Sequence, residues 1–204
     1  MNKEIRTFNF EIRAENDDER GNFIEGRAIV YDEQTDLGWY TETIEKGALD
    51  GTDLKDVRLL VNHNTDMIPL ARSRNNTPNS TMQLKPDDFG MVMRANLDTE
   101  NNADSKSLYS ATKRGDISGM SFMFVVDKDR WEDIDTDKPK RFITSIRRIM
   151  ELSACTFPAY AATSLEARGL SDALESAKES LENERAKARA IAAKRAKIKI
   201  LCEV

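Results

Sequence analysis

The chain has 204 residues, of which 33% are charged, and a formal net charge of −5. This length accommodates one ordinary domain with a core plus an appendage. The chain as a whole is not basic, so its charge does not point to nucleic acid as the main partner. The N-terminus lacks a signal-peptide core, and no uncharged run is long enough to span a membrane. We therefore predict a soluble, unexported protein without a membrane partner or specific nucleic-acid binding.

The first half of the chain is predicted to be β-structure. Residues 4–13 and 22–31 alternate apolar and polar side chains around a polar turn, which is typical of a hairpin. Further strand patterns occupy residues 54–64 and 82–98. Residues 72–81 between them are rich in Pro, Asn and Ser and predict a loop.

A helix is predicted over residues 103–114. Asp104 or Ser105 is a suitable N-cap, and Gly115 follows the last turn, where a left-handed residue commonly ends a helix. The helix therefore leads directly into the next strand pattern.

That strand contains Ser121 and is apolar on both faces, which predicts a strand covered on both sides. Residues 127–141 are too polar for a core and predict a long hairpin loop. The last strands are predicted over residues 142–157, and Pro158 ends the β pattern.

The C-terminal segment is rich in Ala, Glu, Lys, Arg and Leu from Ser171 onward and predicts a long helix. Its apolar seam is interrupted at Glu184 and Arg195, which indicates a weak self-associating or partner-binding helix rather than a strong coiled coil. The basic residues of 185–199 can dock on an acidic partner, and a simply solvated helix is an equal alternative. We divide the chain into a domain of residues 1–165 and a tail of residues 166–204.

Four residues are candidates for chemistry. His63 is the single histidine and ends a predicted buried face, where it can equally cap a strand. A sheltered Ser121 needs a hydrogen-bond partner, either a carbonyl or an imidazole that accepts its proton. Glu151 points away from Met150 and Leu152, toward either an imidazole or a surface arginine.

Cys155 shares the predicted face of Glu151 and is a rival nucleophile, although apolar neighbours favour a packed thiol. Cys155 and Cys202 lie far apart in a chain without an export signal and predict free thiols. The sequence has no phosphate-binding glycine loop and no zinc-type cluster, so we predict neither a cofactor nor a metal.

Three segments and a fourth at the expected distance resemble the prohead protease family of tailed bacteriophages. They are "GRAIVYDEQTDLGWYTETIEKGAL", "VRLLVNHN", "GDISGMSFMF" and "MELSACTFPAYAAT". The resemblance covers roughly residues 22–164, and the order of the motifs is more specific than any one of them.

The resemblance implies a serine endopeptidase with His63 as general base and Ser121 as nucleophile. The family is similar to herpesvirus maturation proteases, whose third member is a second histidine. This chain has one histidine, so Glu151 is our choice for the third member, and a dyad is the alternative. Backbone amides or the arginines at 147 and 148 are candidate oxyanion donors.

The resemblance also implies a fold and a setting. We expect an α+β, β-dominated protein with an antiparallel, partly closed barrel-like sheet of about six to eight strands, flanking helices and a long C-terminal helical tail. Its substrates would be the major capsid protein and scaffold segments, cleaved in the bacterial cytoplasm inside the assembling prohead, and it would be a homo-oligomer.

Self-cleavage near residues 168–170 is a further expectation. The main alternative to a protease is a non-catalytic capsid assembly scaffold or chaperone.

Overall fold

The computed structural model describes residues 3–8, 12–156 and 164–202. Within these residues it contains eleven strands and two helices. The strands are β1 Glu4–Phe8, β2 Ile12–Asp17, β3 Gly21–Val30, β4 Gln34–Asp36, β5 Thr41–Ile44, β6 Asp56–Val61, β7 Ala71–Arg74, β8 Met82–Asp87, β9 Gly90–Asn96, β10 Gly119–Glu132 and β11 Lys140–Cys155. The helices are α1 Ala103–Arg114 and α2 Ser164–Cys202.

The described strands form two sheets. The first has seven strands, with the order β1-β10-β11-β5-β4 and a branch in which β6 pairs with both β11 and β7. The second has the order β2-β3-β9-β8. A buried cluster of aliphatic, methionine and phenylalanine side chains joins the two, with Ile24, Met91 and Phe122 among its fully buried members.

The β-dominated class is confirmed, but the details of the expected sheet are wrong. Neither sheet closes into a barrel within the described residues. The larger sheet has seven strands, within the expected six to eight, but the second sheet of four strands was not expected. The larger sheet is mixed rather than antiparallel, because β5 and β6 both pair with β11 in parallel. Local patterns of alternation carry no information on the direction in which distant strands pair.

The N-terminal segment does not form one arm of a hairpin. Its second part, β2, pairs with β3 as predicted, whereas β1 pairs antiparallel with β10 in the other sheet. Alternation therefore predicted β-structure correctly, but it did not predict that β1 and β2 pair with strands of different sheets.

Polar strands extend beyond their predicted ends. β10 continues to Glu132 and β11 begins at Lys140, so the predicted loop over residues 127–141 shrinks to a short connection. These strand ends remain paired because the ladder supplies their backbone hydrogen bonds, while one face is covered by aromatic and helical neighbours. β7 likewise occupies the start of the predicted loop over residues 72–81.

Helix α1 spans the predicted residues 103–114, but its N-cap precedes the predicted Asp104 or Ser105. Asn102 is the N-cap, and its side-chain oxygen accepts from the backbone N–H groups of Asp104 at 2.9 Å and Ser105 at 3.1 Å. Gly115 ends α1 with φ of 79°, as predicted.

The C-terminal helix begins at Ser164, before the predicted Ser171. Three small or apolar residues on one side are buried, namely Ala173, Ala177 and Leu181. Trp131 Nε1 of β10 donates to Ser180 Oγ at 3.1 Å, which helps to fix the helix to the strand. Further along, Ile191 and Ile198 are exposed.

Candidate active site

Neighbouring strands bring the predicted residues together. β10 and β11 pair so that Ser121 lies opposite Ser153, and Glu151 lies opposite Met123. On its other edge β11 pairs with β6, which ends at Val61. The turn after β6 therefore reaches the same part of β11 as Ser121.

His63 lies in this turn and not in a strand as predicted. Asn62 and His63 have φ values of 49° and 54°, in the left-handed region, and their turn redirects the chain. Asn62 Nδ2 donates to Thr156 Oγ1 at 2.9 Å, and its Oδ1 accepts from the Thr156 backbone N–H at 3.0 Å. The end of β11 thus fixes the conformation that aims the imidazole.

The imidazole contacts both other predicted residues. His63 Nε2 lies 2.6 Å from Ser121 Oγ, and Nδ1 is hydrogen-bonded to Glu151 Oε1. A carboxylate on Nδ1 selects the tautomer whose Nε2 can accept the serine proton. The arrangement can therefore produce a nucleophilic serine.

Ser153 is part of the site and was missed as a functional residue. Its Oγ donates to Glu151 Oε2 at 2.7 Å and accepts from the backbone N–H of His63 at 3.0 Å. One hydroxyl thus holds the carboxylate and the histidine turn. The signal was its position two residues after Glu151 on the same strand face.

The weaker alternatives have other contacts. Arg147 donates to Asp127 Oδ1 at 3.0 Å and Arg148 lies 3.8 Å from Asp53 Oδ2, so neither is the partner of Glu151. Cys155 is buried, with its thiol 3.8 Å from the Ser153 carbonyl oxygen. A packed thiol is therefore favoured over a cysteine nucleophile. The Cys202 side chain lies outside the described residues.

The site is closed to solvent. The exposed fractions of Ser121, His63 and Glu151 are 0%, 1% and 4%. Strand β1 covers the serine: the hydroxyl donates to the Arg6 carbonyl oxygen at 2.8 Å and accepts from Thr7 Oγ1 at 3.0 Å. Nothing in the sequence pattern of β1 indicated this contact.

A buried ion cluster holds β1 beside the site. Arg6 is hydrogen-bonded to Glu42 and Glu4, and Arg141 donates to Glu4 Oε2 at 2.9 Å and to Glu42 Oε2 at 3.0 Å. Burial alone would raise the pKa of Glu4, but the guanidiniums of Arg6 and Arg141 hold it below its ordinary value. Nearby, burial raises the pKa of Tyr40 to about 12.

A partly apolar cavity of about 440 Å³ lies beside the histidine turn. Asn62 and Asn64, which flank His63, form part of its wall, and Met67, Leu108 and Ile117 supply apolar surface. It can accept an apolar side chain close to the site.

No group of His, Cys, Asp and Glu that could hold a metal ion occurs among the residues that the structure describes. Neither described helix contains an apolar stretch long enough to cross a membrane.

Residues 8–178 match the family model described as Caudovirus prohead serine protease. The chain is also similar to the Prohead protease of Enterobacteria phage HK97, with 28% identity over 177 residues that cover 84% of this chain and 72% of that protein. No solved structure matches.

Proposed function

The chain belongs to the caudovirus prohead serine proteases, and we propose that it cleaves capsid and scaffold proteins with Ser121 as nucleophile, His63 as general base and Glu151 as orienting carboxylate. That it is a serine protease of capsid maturation follows from the family and the relative. The roles of the three residues are the proposal.

One observation carries it: a single buried imidazole contacts a serine through one nitrogen and a carboxylate through the other. An isolated structural serine needs one hydrogen-bond partner, and the Arg6 carbonyl is already available. A buried carboxylate, moreover, is costly unless paired. The joint arrangement fits acyl transfer better than three unrelated structural contacts.

The mechanism follows from the geometry. His63 Nε2 removes the Ser121 proton as Oγ bonds to the peptide carbonyl carbon, and Glu151 stabilises the imidazolium through Nδ1. The proton then passes to the leaving amine as the C–N bond breaks, which leaves an acyl-enzyme. A water molecule, deprotonated by His63, hydrolyses the ester and restores the serine.

The setting is proposed from the family and the relative. The relative is named a prohead protease, and we infer that this chain acts inside the assembling prohead in the bacterial cytoplasm, on the major capsid protein, scaffold segments and its own chain. The exposed Ile191 and Ile198 of α2 support a self-associating or partner-binding tail, and so a homo-oligomer. The tail of residues 166–204 remains our proposed unit beside the domain of residues 1–165.

Co-expression with the coat protein tests this function. Wild type, Ser121→Ala and the control Ser145→Ala, on β11, are compared by the intact masses of both proteins after assembly. Trimming in wild type and Ser145→Ala but not in Ser121→Ala is expected. Proheads that form without trimming in any strain would favour the assembly scaffold, and trimming in Ser121→Ala would remove this serine from the mechanism.

A further inference from the structure

Strand β1 lies where a peptide would have to reach the serine. It pairs antiparallel with β10, with Thr7 opposite Ser121 and Arg6 opposite Phe122. Among the described strands β1 is the last on this side of the sheet, so without it β10 would offer a free edge to an extended peptide. β1 therefore occupies the edge of β10 beside Ser121, where an extended peptide could add as a strand.

The contact with Ser121 is inhibitory in form. The hydroxyl has one proton, and both His63 Nε2 at 2.6 Å and the Arg6 carbonyl oxygen at 2.8 Å can accept it. During attack the carbonyl oxygen of a substrate must face the oxyanion donors. The Arg6 carbonyl oxygen instead accepts a hydrogen bond from the Ser121 hydroxyl. Arg6 thus presents its carbonyl to the serine without the geometry of reaction.

The side chains of β1 fill a charged recess. Glu4 and Arg6, 0% and 3% exposed, project into the space bounded by Glu42 and Arg141. The Arg6 guanidinium also lies 5.6 Å from the centroid of the Phe124 ring. Glu42 faces the basic residue of the strand, and Arg141 faces the acidic one.

Buried charges of this kind contribute more to the choice of binding partner than to the stability of the fold. A strand with the wrong charges would leave Glu42 or Arg141 buried beside a like charge, which is strongly unfavourable. A strand with an acidic residue two positions before a basic one satisfies both. The recess therefore discriminates between peptides by charge order.

We propose that β1 occupies the peptide-binding groove of the protease, and that an extended peptide with an acidic residue two positions before a basic residue binds there in its place and is cut after the basic residue. The inference rests on the proposed function and names its substrate class. Glu42 and Arg141 are the specificity-determining residues, and the cut position follows from the Arg6 carbonyl at Ser121.

The match to the family model leaves out most of this strand. The matched residues begin at position 8, so all of β1 except its last residue precedes them. Helix α2 packs against β1, so departure of the strand also loosens this helix.

The test uses the full chain with a weakened β1. Glu4→Gln combined with Arg6→Gln removes both charges of the strand and leaves Glu42 and Arg141 to pair with each other. The control, Arg13→Gln with Glu15→Gln, removes an exposed pair with the same spacing on β2. Each protein is given three peptides: one copying residues 4–10, one with its Glu and Arg exchanged, and one with Gln at both positions.

Cleavage is followed by mass spectrometry, and binding by fluorescence anisotropy with Ser121→Ala added. We expect the β1 variant to cut the first peptide at least about 10-fold faster than wild type or the control. It should also cut this peptide at least about 10-fold faster than the exchanged one. The exchanged peptide would place like charges beside Glu42 and Arg141, and this costs more than a factor of ten.

The outcomes separate this inference from the proposed function. Equal cleavage of all three peptides overturns the inferred charge selection but agrees with the proposed function. Charge-selective binding without cleavage overturns the proposed function but supports the inferred peptide-binding groove. A folded β1 variant no faster than wild type shows that β1 is simply part of the sheet.

A reversible lock decides the matter if the β1 variant does not fold. Ile5 and Met123 are directly paired across β1 and β10, so Ile5→Cys with Met123→Cys can join the strands. We expect the oxidised protein to be inactive and the reduced one to cut the first peptide in preference to the exchanged one. Equal activity before and after reduction overturns the proposal.

Discussion

The Ser153 hydroxyl donates to Glu151 Oε2 at 2.7 Å, and this bond makes Ser153 the residue that positions the carboxylate. Because the same hydroxyl accepts from the His63 backbone N–H at 3.0 Å, it links the carboxylate to the histidine turn. The geometry of the site therefore depends on a residue outside the proposed triad.

Replacing this hydroxyl tests its positioning role. In Ser153→Ala we expect kcat to fall about 5-fold with KM little changed, because a lost hydrogen bond of about 1 kcal/mol disturbs orientation and not peptide binding. Ser153→Thr keeps the hydroxyl and should recover most of kcat, and Ser145→Ala is the control. A parallel rise in KM, or no recovery with threonine, would contradict the positioning role.

The carboxylate distinguishes a triad from a dyad. Glu151→Gln preserves the size of the side chain but removes its charge, so we expect kcat to fall by about 10³- to 10⁴-fold, as when a triad carboxylate becomes an amide. Steady-state peptide cleavage measures the loss. Activity within 10-fold of wild type would show that Ser121 and His63 act as a dyad.

The histidine turn predicts an order of stability at Asn62. Asn62→Ala and Asn62→Gly both lose the bonds to Thr156, but only alanine must strain to adopt φ of 49°. We expect alanine to be less stable than glycine by about 1 kcal/mol, after allowance for the greater flexibility of unfolded glycine. Urea unfolding provides the comparison, and equal stability of the two variants would argue against strain in this turn.

The ion cluster predicts acid sensitivity. The folded-state pKa of Glu4 lies below its ordinary value of 4.5, so near this pH the unfolded chain binds more protons than the native one. Ionised Glu4 therefore stabilises the fold above pH 4.5, and this contribution is lost as pH falls through the lower folded-state pKa.

Thermal unfolding from pH 6 down to pH 3 measures the effect. We expect Glu4→Gln to flatten the acid limb of the stability profile, with the exposed Glu15→Gln as control. A Glu4→Gln profile parallel to wild type would show that this carboxylate does not contribute to acid unfolding.

The sequence singled out the three candidate residues that the structure brings together, but it did not predict their arrangement. One histidine, a serine in a strand apolar on both faces and a glutamate in a buried strand were each ambiguous alone, and the order of motifs selected them. The left-handed turn at His63 was not visible, because asparagine adopts many conformations and its contact with Thr156 lies far away in sequence.

The cover over the site was also beyond prediction. Alternation in residues 4–13 indicated β-structure, but only tertiary pairing shows that β1 leaves β2 and joins β10. The buried Arg141 shows the same limit. It belongs to a segment that appeared too polar for a core, and it is buried because Glu4, Glu42 and Asp129 surround its guanidinium.

Covalent labelling of Ser121 tests the central claim most directly. Wild type, the variant with Glu4→Gln and Arg6→Gln, and the corresponding protein with His63→Ala are treated with a fluorophosphonate, and the modified residue is located by peptide mass spectrometry. We predict one adduct, on Ser121, that forms fastest in the β1 variant and slowly without His63. An unlabelled Ser121 in every protein, or an adduct on Cys155 instead, would contradict the account.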